Sequence, residues 1–137
     1  MRRHTKTKRT CLQWVAWKAR SLRGSFRAVA RRHGRDVAEV PSVAELEMWL
    51  QGAITLGCYY CMVALTPKNF SVDHKRPVSR GGSNTIENFA QTCLGCNLAK
   101  GSMTEHEFQC LRRLLATWDD YGKAVLARLK RGHFGRR

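Results

Sequence analysis

The chain has 137 residues, of which 43% are hydrophobic, and it carries a net charge of +15 at pH 7. A chain of this length forms one domain, with a core small enough that a bound metal would add useful stability. No stretch approaches the roughly 20 consecutive apolar residues of a transmembrane helix, so we expect no membrane partner.

The positive charge is concentrated at the two ends of the chain. Residues 1–35 hold 12 of the 25 Lys and Arg and no acidic residue, and the last ten residues hold five more. Residues 36–127 are close to neutral, with eight basic and ten acidic residues. Cationic arms around a balanced centre indicate a polyanionic partner, and nucleic acid is the first candidate. A solvated surface that only aids solubility is the alternative.

The N-terminal region predicts a basic tail followed by a long amphipathic helix. From Cys11 to about His33, apolar residues recur at steps of three and four, and Gly34 is the predicted stop. Four arginines fall on a second face of this helix, namely Arg20, Arg23, Arg27 and Arg31. Such a stripe can follow a phosphate backbone. A solvated face, a membrane-surface helix and a partner helix are the alternatives.

Two further helical segments are predicted from capping patterns. Ser42 and Glu45 have the spacing of a capping box, so a helix opens there and runs to about Ile54. A third helix begins near Thr104, with the same spacing to Glu107, and continues or restarts through 121–129. We interpret these helices as scaffold.

Between these helices the pattern changes to strand, strand, helix. Residues 70–72 alternate like a short strand, and residues 88–92 are predicted to pair with it. Residues 81–84 have the composition of a turn and are predicted to connect the two strands. A helix starting at about Cys96 or Asn97 completes the unit.

Four of the six cysteines form two Cys-x-x-Cys pairs. Cys58/Cys61 and Cys93/Cys96 are separated by 31 residues, and four thiolates suit a tetrahedral zinc ion. Two disulfides or a redox-active pair are alternatives, but neither explains a matched pair of knuckles. The two remaining cysteines stand alone, which fits a reducing compartment, and we expect the cytoplasm.

The residues around the second half of this segment resemble a known family. Residues 72–82 read VDHKRPVSRGG, Asn88-Phe89 follow, and residues 93–101 read CLGCNLAKG. This stretch is similar to HNH endonucleases of the zinc-stapled kind, with Asn in place of the last His of the motif. The resemblance covers about a third of the chain. It implies an α+β protein, in which a small ββα-metal hairpin-helix core is stapled by a four-cysteine zinc site and flanked by α-helices.

The resemblance also suggests how the chain is divided. We expect a basic tail at 1–10 and a basic helical region at 11–57. The HNH core follows at 58–103, and a C-terminal helical region with a basic tail occupies 104–137.

The resemblance implies roles for individual residues. His74 is the predicted general base, because an unperturbed imidazole titrates near ~6.5 and can accept a proton at neutral pH. Asp73 and Asn97 are the predicted oxygen ligands of a catalytic Mg²⁺ or Mn²⁺, a helix N-cap being the alternative for Asn97. Successive residues of a regular strand point to opposite faces, so Asp73 and His74 are expected in bent or looped backbone.

Further residues are assigned supporting roles. Asn88 is expected to hold the His74 loop by hydrogen bonds across the hairpin, a plain turn Asn being the alternative. Four basic residues near the motif are expected to contact phosphates, namely Lys75, Arg76, Arg80 and Lys100.

These expectations together predict a metal-dependent DNA endonuclease. It would hydrolyse double-stranded DNA to leave 5′-phosphate and 3′-hydroxyl, and would nick as a monomer or weak dimer with one active site. A non-catalytic zinc-knuckle nucleic-acid-binding protein is one rival. A nuclease acting on RNA or structured DNA is another. By family analogy alone, the source is a phage or a mobile element.

Overall fold

The computed structural model describes residues 10–132, so the predictions for residues 1–9 and 133–137 lie outside it. Within that range the chain forms five α-helices and one antiparallel pair of strands. Their bounds are α1 Cys11–Arg32, α2 Val43–Ala53, β1 Phe70–His74, β2 Phe89–Cys93, α3 Leu94–Lys100, α4 Glu105–Thr117 and α5 Asp120–Lys130. None of these helices is both long and apolar enough to cross a bilayer. The mixture of helices with a small two-stranded sheet confirms the predicted fold class.

Three helices begin at capping boxes, which satisfy backbone N–H groups that would otherwise lack partners. Ser42 opens α2 and Thr104 opens α4, as the sequence predicts, each paired reciprocally with the Glu three residues later. Thr10 opens α1 in the same way with Gln13, and it is a box the sequence reading missed. Each cap stabilises its helix by about 1 kcal/mol.

One face of the sheet packs against α1 and α2. Phe70 of β1 meets the edge of Trp14 from α1, with ring centroids 5.4 Å apart. Phe89 of β2 lies 4.7 Å from Phe26 of α1 and 5.9 Å from Trp49 of α2. The aromatic contacts fix α1 along one side of the hairpin, and this is the side on which His74 emerges.

The second face of the sheet is covered by α3. Ser71 and Asp73 alternate with the core residues of β1, so their side chains lie on this face. Asn97 and Lys100, one turn apart on α3, reach Ser71 and Asp73 respectively. The hairpin is therefore enclosed between an aromatic layer and a polar layer.

Two local boundaries differ from the predictions. β1 continues through His74 rather than ending at Val72, because Asp73 and His74 pair with Ala90 and Phe89 of β2. α3 begins at Leu94 rather than near Cys96, because Cys93 is its N-cap and accepts a hydrogen bond from the Cys96 backbone N–H at 3.4 Å. The N-cap alternative for Asn97 is therefore wrong.

Candidate metal centre and active site

The four paired cysteines converge on one point. Their sulfur atoms all lie within 4.8 Å of one another, and the sulfurs of Cys61 and Cys93 are 3.8 Å apart. Zinc–thiolate bonds of ~2.3 Å in a tetrahedron place the sulfurs about 3.8 Å apart. The four cysteines are positioned to bind one metal ion, and their spacing is consistent with a zinc site.

Backbone hydrogen bonds position the first cysteine pair against the sheet. The N–H of Cys58 donates to Val63 O at 2.8 Å, and the N–H of Tyr59 donates to Gln91 O of β2 at 2.8 Å. A Cβ at Gly57 would lie 2.6 Å from the Met62 carbonyl oxygen, so the tight turn requires glycine. The second pair needs no separate turn, since it lies at the junction of β2 and α3.

The pKa values of these thiols determine what metal binding at the cluster requires. A hydrogen bond shared by Cys58 and Cys96 lowers the pKa of Cys58 to about 4 and raises the pKa of Cys96. Burial raises the pKa of the Cys93 thiol. Ionising all four sulfurs at neutral pH therefore needs a positive ion among them, as metal binding provides.

His74 emerges on the face that α1 covers. Its ring lies edge-on to Phe26 and Phe89, with centroids 5.2 Å and 5.3 Å away. Its Nε2 atom lies 2.9 Å from Oδ1 of Asn84. Burial lowers the pKa of His74 below its ordinary value of 6.5, so the imidazole is neutral at neutral pH and can accept a proton.

Asp73 emerges on the opposite face and is almost fully buried, at 4% exposure. Lys100 Nζ lies 2.9 Å from its Oδ1, and the Tyr60 hydroxyl donates to its Oδ2 at 2.8 Å. Burial raises the pKa of Asp73, while Lys100 and Tyr60 act in the opposite direction. The expectation that Asp73 and His74 share bent backbone is wrong, because both lie in the regular strand β1 and point to opposite faces.

Asn97 lies on the same face of β1 as Asp73. Its side-chain amide donates to Ser71 Oγ at 2.6 Å and to Val72 O at 3.4 Å. The structure thus brings the two predicted metal ligands to one face and does not bring His74 there. Carboxylate and amide oxygens suit a hard divalent ion, but both oxygens of Asp73 already have partners, Lys100 on Oδ1 and Tyr60 on Oδ2.

Asn88 ties together the loop between the two strands. Its Nδ2 donates to Arg76 O at 2.9 Å and to Ser83 O at 2.8 Å, and its Oδ1 accepts from the Arg76 N–H at 3.0 Å. A Cβ at Gly82 would lie 1.8 Å from Arg76 O, so the loop closes too tightly for any other residue. These contacts hold the chain that follows His74.

A comparison with protein families matches the segment that contains these site residues. Residues 58–110 match the HNH endonuclease family model. The match confirms the resemblance seen in the sequence and points to a nuclease-type function with a nucleic-acid substrate. This HNH segment, residues 58–110, contains both cysteine pairs, both strands and α3, and it extends into α4. A comparison with curated proteins finds no match to the chain.

The basic residues of the HNH segment are not equally available to a phosphate. Lys100 is only 1% exposed, and its ammonium also donates to His74 O at 2.9 Å. The prediction that Lys100 contacts phosphate is therefore wrong. Arg80 forms a two-pronged ion pair with Glu107 of α4, at 2.6 Å and 3.0 Å. Arg76 is exposed, and its Nε donates to Arg80 O at 2.9 Å.

Lys75 and the arginines of α1 border the two sides of the hairpin. Lys75 Nζ lies 5.3 Å from the ring centroid of Tyr59. On α1, Arg20 and Arg31 are exposed, while Arg23 and Arg27 are partly buried. Arg23 and Arg27 lie within one helical turn of Phe26, whose ring contacts His74.

Tyr60 and Asn84 are site residues that the sequence reading missed. Tyr60 lies inside the first knuckle, where burial raises the pKa of its hydroxyl, so it remains a neutral donor to Asp73. Its carbonyl oxygen accepts from Arg112 of α4. Asn84 follows Gly81-Gly82-Ser83 and was assigned to the turn on composition. The sequence offers one weak signal for Asn84, namely that it lies ten residues after the candidate base His74.

Proposed function

We propose that the protein is a zinc-stapled, metal-dependent HNH endonuclease that hydrolyses phosphodiester bonds of DNA. It would leave 5′-phosphate and 3′-hydroxyl ends. The observation that carries this proposal is a neutral, oriented His74 within a segment that matches the HNH family.

His74 acts as the general base in this proposal. It removes a proton from a water molecule, and the resulting hydroxide oxygen forms a bond to phosphorus. The bond from phosphorus to O3′ breaks, and O3′ leaves with the electron pair and takes a proton from solvent. The lowered pKa keeps His74 unprotonated at neutral pH, and a positioned base of this kind contributes about 10²–10⁴-fold in rate.

Asp73 and His74 lie on opposite faces of β1. The proposed chemistry therefore requires the two side chains to reach one phosphate from the two sides of the strand, because the attacking and leaving oxygens lie on opposite sides of phosphorus in an in-line displacement.

Two metal sites belong to the proposal. Zn²⁺ would be held by the four paired cysteines, and it would join the first knuckle to the hairpin. Asp73 and Asn97 would hold Mg²⁺ or Mn²⁺. When bound, that ion neutralises charge on the phosphate and stabilises the leaving oxygen. Asp73 can bind this ion only if its carboxylate oxygens accept the ion beside the Lys100 ammonium, or in place of it.

The basic surface supplies affinity for DNA. We assign the arginine stripe on α1 and the cations around the loop to the phosphate backbone. These residues are Arg20, Arg23, Arg27, Arg31, Lys75, Arg76 and Arg80. With ~6–10 phosphate contacts, affinity would fall by about 10³–10⁵ between 50 and 200 mM salt.

One active site cuts one strand, so a monomer nicks. Thiolates stay reduced in the cytoplasm, where we place the protein.

A non-catalytic nucleic-acid-binding protein is the second candidate, and the burial of Asp73 beneath Lys100 favours it. Such a protein would bind DNA through the same basic surface without using His74. A nuclease acting on RNA or structured DNA keeps the chemistry and changes only the substrate.

Supercoiled plasmid tests the proposal directly. The purified, zinc-loaded protein is incubated with plasmid in Mg²⁺, in Mn²⁺ or in EDTA, alongside His74→Ala. His106→Ala is the matched control, since His106 is exposed on α4 and contacts Cys110 rather than the hairpin. We expect metal-dependent open circles from the wild type and the control but not from His74→Ala. DNA binding without cleavage in any metal would instead favour the non-catalytic candidate, or a substrate that plasmid does not offer.

A further inference from the structure

Asn84 is a polar residue with no exposed surface, placed in the loop between β1 and β2. Its Oδ1 lies 2.9 Å from Nε2 of His74. Its backbone N–H donates to Glu39 Oε2 at 3.4 Å, so the loop is anchored to the segment that precedes α2. Its Nδ2 is buried and has no hydrogen-bond partner among residues 10–132.

We propose that Asn84 is a positioning residue that holds His74 with its hydrogen on Nε2 and its lone pair on Nδ1. A neutral imidazole has one N–H donor and one acceptor nitrogen. The amide oxygen of Asn84 can only accept, so the nitrogen facing it must donate. Nδ1 is then the proton acceptor. This inference rests on the proposed function, because it assigns the atom through which His74 acts.

The orientation of the Asn84 amide decides whether His74 can work as a base. With the amide reversed, its N–H would donate to Nε2 and occupy that lone pair, and the hydrogen would lie on Nδ1. Neither ring nitrogen could then accept a proton from water. The rings of Phe26 and Phe89 lie against the imidazole at near right angles, with centroids 5.2 Å and 5.3 Å away, and they restrict its rotation.

The same contact serves the charged state. When a water proton moves to Nδ1, His74 becomes an imidazolium whose Nε2–H still donates to Asn84 Oδ1. No hydrogen bond has to break during the transfer. A buried amide with one unpartnered nitrogen is unfavourable for stability, which argues that position 84 serves His74 rather than the fold.

Three variants test the inference in the full-length, zinc-loaded protein. Asn84→Leu keeps the branching of the side chain at Cγ and removes the acceptor, whereas Asn84→Asp keeps an acceptor oxygen. Ser83→Ala is the matched control, because it removes the neighbouring hydroxyl bond to Thr85 and leaves His74 untouched. Circular dichroism and DNA affinity establish that each variant is folded. Steady-state nicking of supercoiled plasmid in Mg²⁺ then separates kcat from KM.

A spectroscopic readout reports the tautomer independently of cleavage. In ¹⁵N-histidine-labelled protein at pH 8, a protonated and a bare ring nitrogen have different nitrogen shifts. The His74 signals among the five histidines are identified by their loss in His74→Ala. We expect the wild type, Ser83→Ala and Asn84→Asp to have hydrogen on Nε2 alone. Asn84→Leu should give a mixture of tautomers.

The rates should follow the tautomers. Asn84→Leu should lower kcat by about 10- to 100-fold, less than His74→Ala, with KM changed by no more than about 2-fold. Asn84→Asp should restore most of the rate. An unchanged tautomer and an unchanged kcat in Asn84→Leu would overturn the inference, as would a wild-type His74 with hydrogen on Nδ1. A wild type that does not cleave, yet has hydrogen on Nε2, would refute the proposed function and leave the positioning of His74 by Asn84 supported.

Discussion

Replacing Lys100 by Met tests how tightly the Asp73 side of the hairpin is closed. The substitution keeps an unbranched apolar stem and removes an ammonium that lies 2.9 Å from both Asp73 Oδ1 and His74 O. The Asp73 carboxylate would then be buried with only the Tyr60 hydroxyl as a partner. Leaving one charge of a buried pair uncompensated costs about 3–5 kcal/mol. Since small domains are stable by about 5–15 kcal/mol, this is a large fraction of the total.

The assay is thermal unfolding of the zinc-loaded protein. A loss of this size in a chain of this length lowers Tm by roughly 10–20 °C. Lys100→Met/Asp73→Asn is the matched control. It removes both charges, so we expect it to unfold well above the single variant.

A divalent ion should partly replace the missing ammonium. If Asp73 binds Mg²⁺ as proposed, Lys100→Met should gain about 2.7 kcal/mol at 100 times its Kd. The wild type should gain less, because its ammonium competes for the same carboxylate. Lys100→Met that unfolds within ~1 kcal/mol of the wild type would refute the closed ion pair. An equal response to Mg²⁺ in Lys100→Met and the double variant would refute Asp73 as a ligand.

Four further outcomes follow from the structure. Removing the metal by a strong chelator, or by Cys93→Ser, should abolish cooperative unfolding, because structural zinc contributes on the order of 10 kcal/mol; zinc analysis of the native protein should give one ion per chain. The rate of cleavage should fall as pH drops through a midpoint below 6.5 and stay flat above it, because burial lowers the pKa of His74. The free energy of unfolding should also fall below about pH 6.5, because His74 binds a proton more readily in the unfolded chain than in the folded protein. A midpoint above 6.5 in the pH–rate profile would contradict the lowered pKa. Arg23→Ala combined with Arg27→Ala should weaken DNA binding for all sequences and reduce the salt slope by about 2, as measured by titration at several salt concentrations.

The features predictable from the sequence are those encoded by local spacing. Two capping boxes, the cysteine pairs and the apolar period of α1 each depend on residues a few positions apart, and each was found. The start of α3 was missed because cysteine is an uncommon N-cap. Its thiol accepts the Cys96 N–H here, at the junction of β2 and α3 and within the four-cysteine cluster.

The rest of the site depends on packing between distant segments. Lys100, next to a glycine, looks like a surface cation in the sequence. Only the position of α3 against β1 places it beneath Asp73, 27 residues away. The partnership of Asn84 with His74 likewise requires the loop closure made by Gly82 and Asn88. No local pattern carries that information.

Cys93 combines three duties in one residue: it ends β2, caps α3 and contributes a sulfur to the four-cysteine cluster. This combination restricts how the sequence can evolve. A Ser at position 93 would keep the cap and lose the thiolate, while a His would keep a metal ligand and lose the short cap. Cys61 lies in a turn and has no capping duty, so a lineage could exchange Cys61 for His at little cost. Position 93 should therefore accept fewer residue types than position 61, and a library randomised at these two ligands would reveal that difference as unequal tolerance.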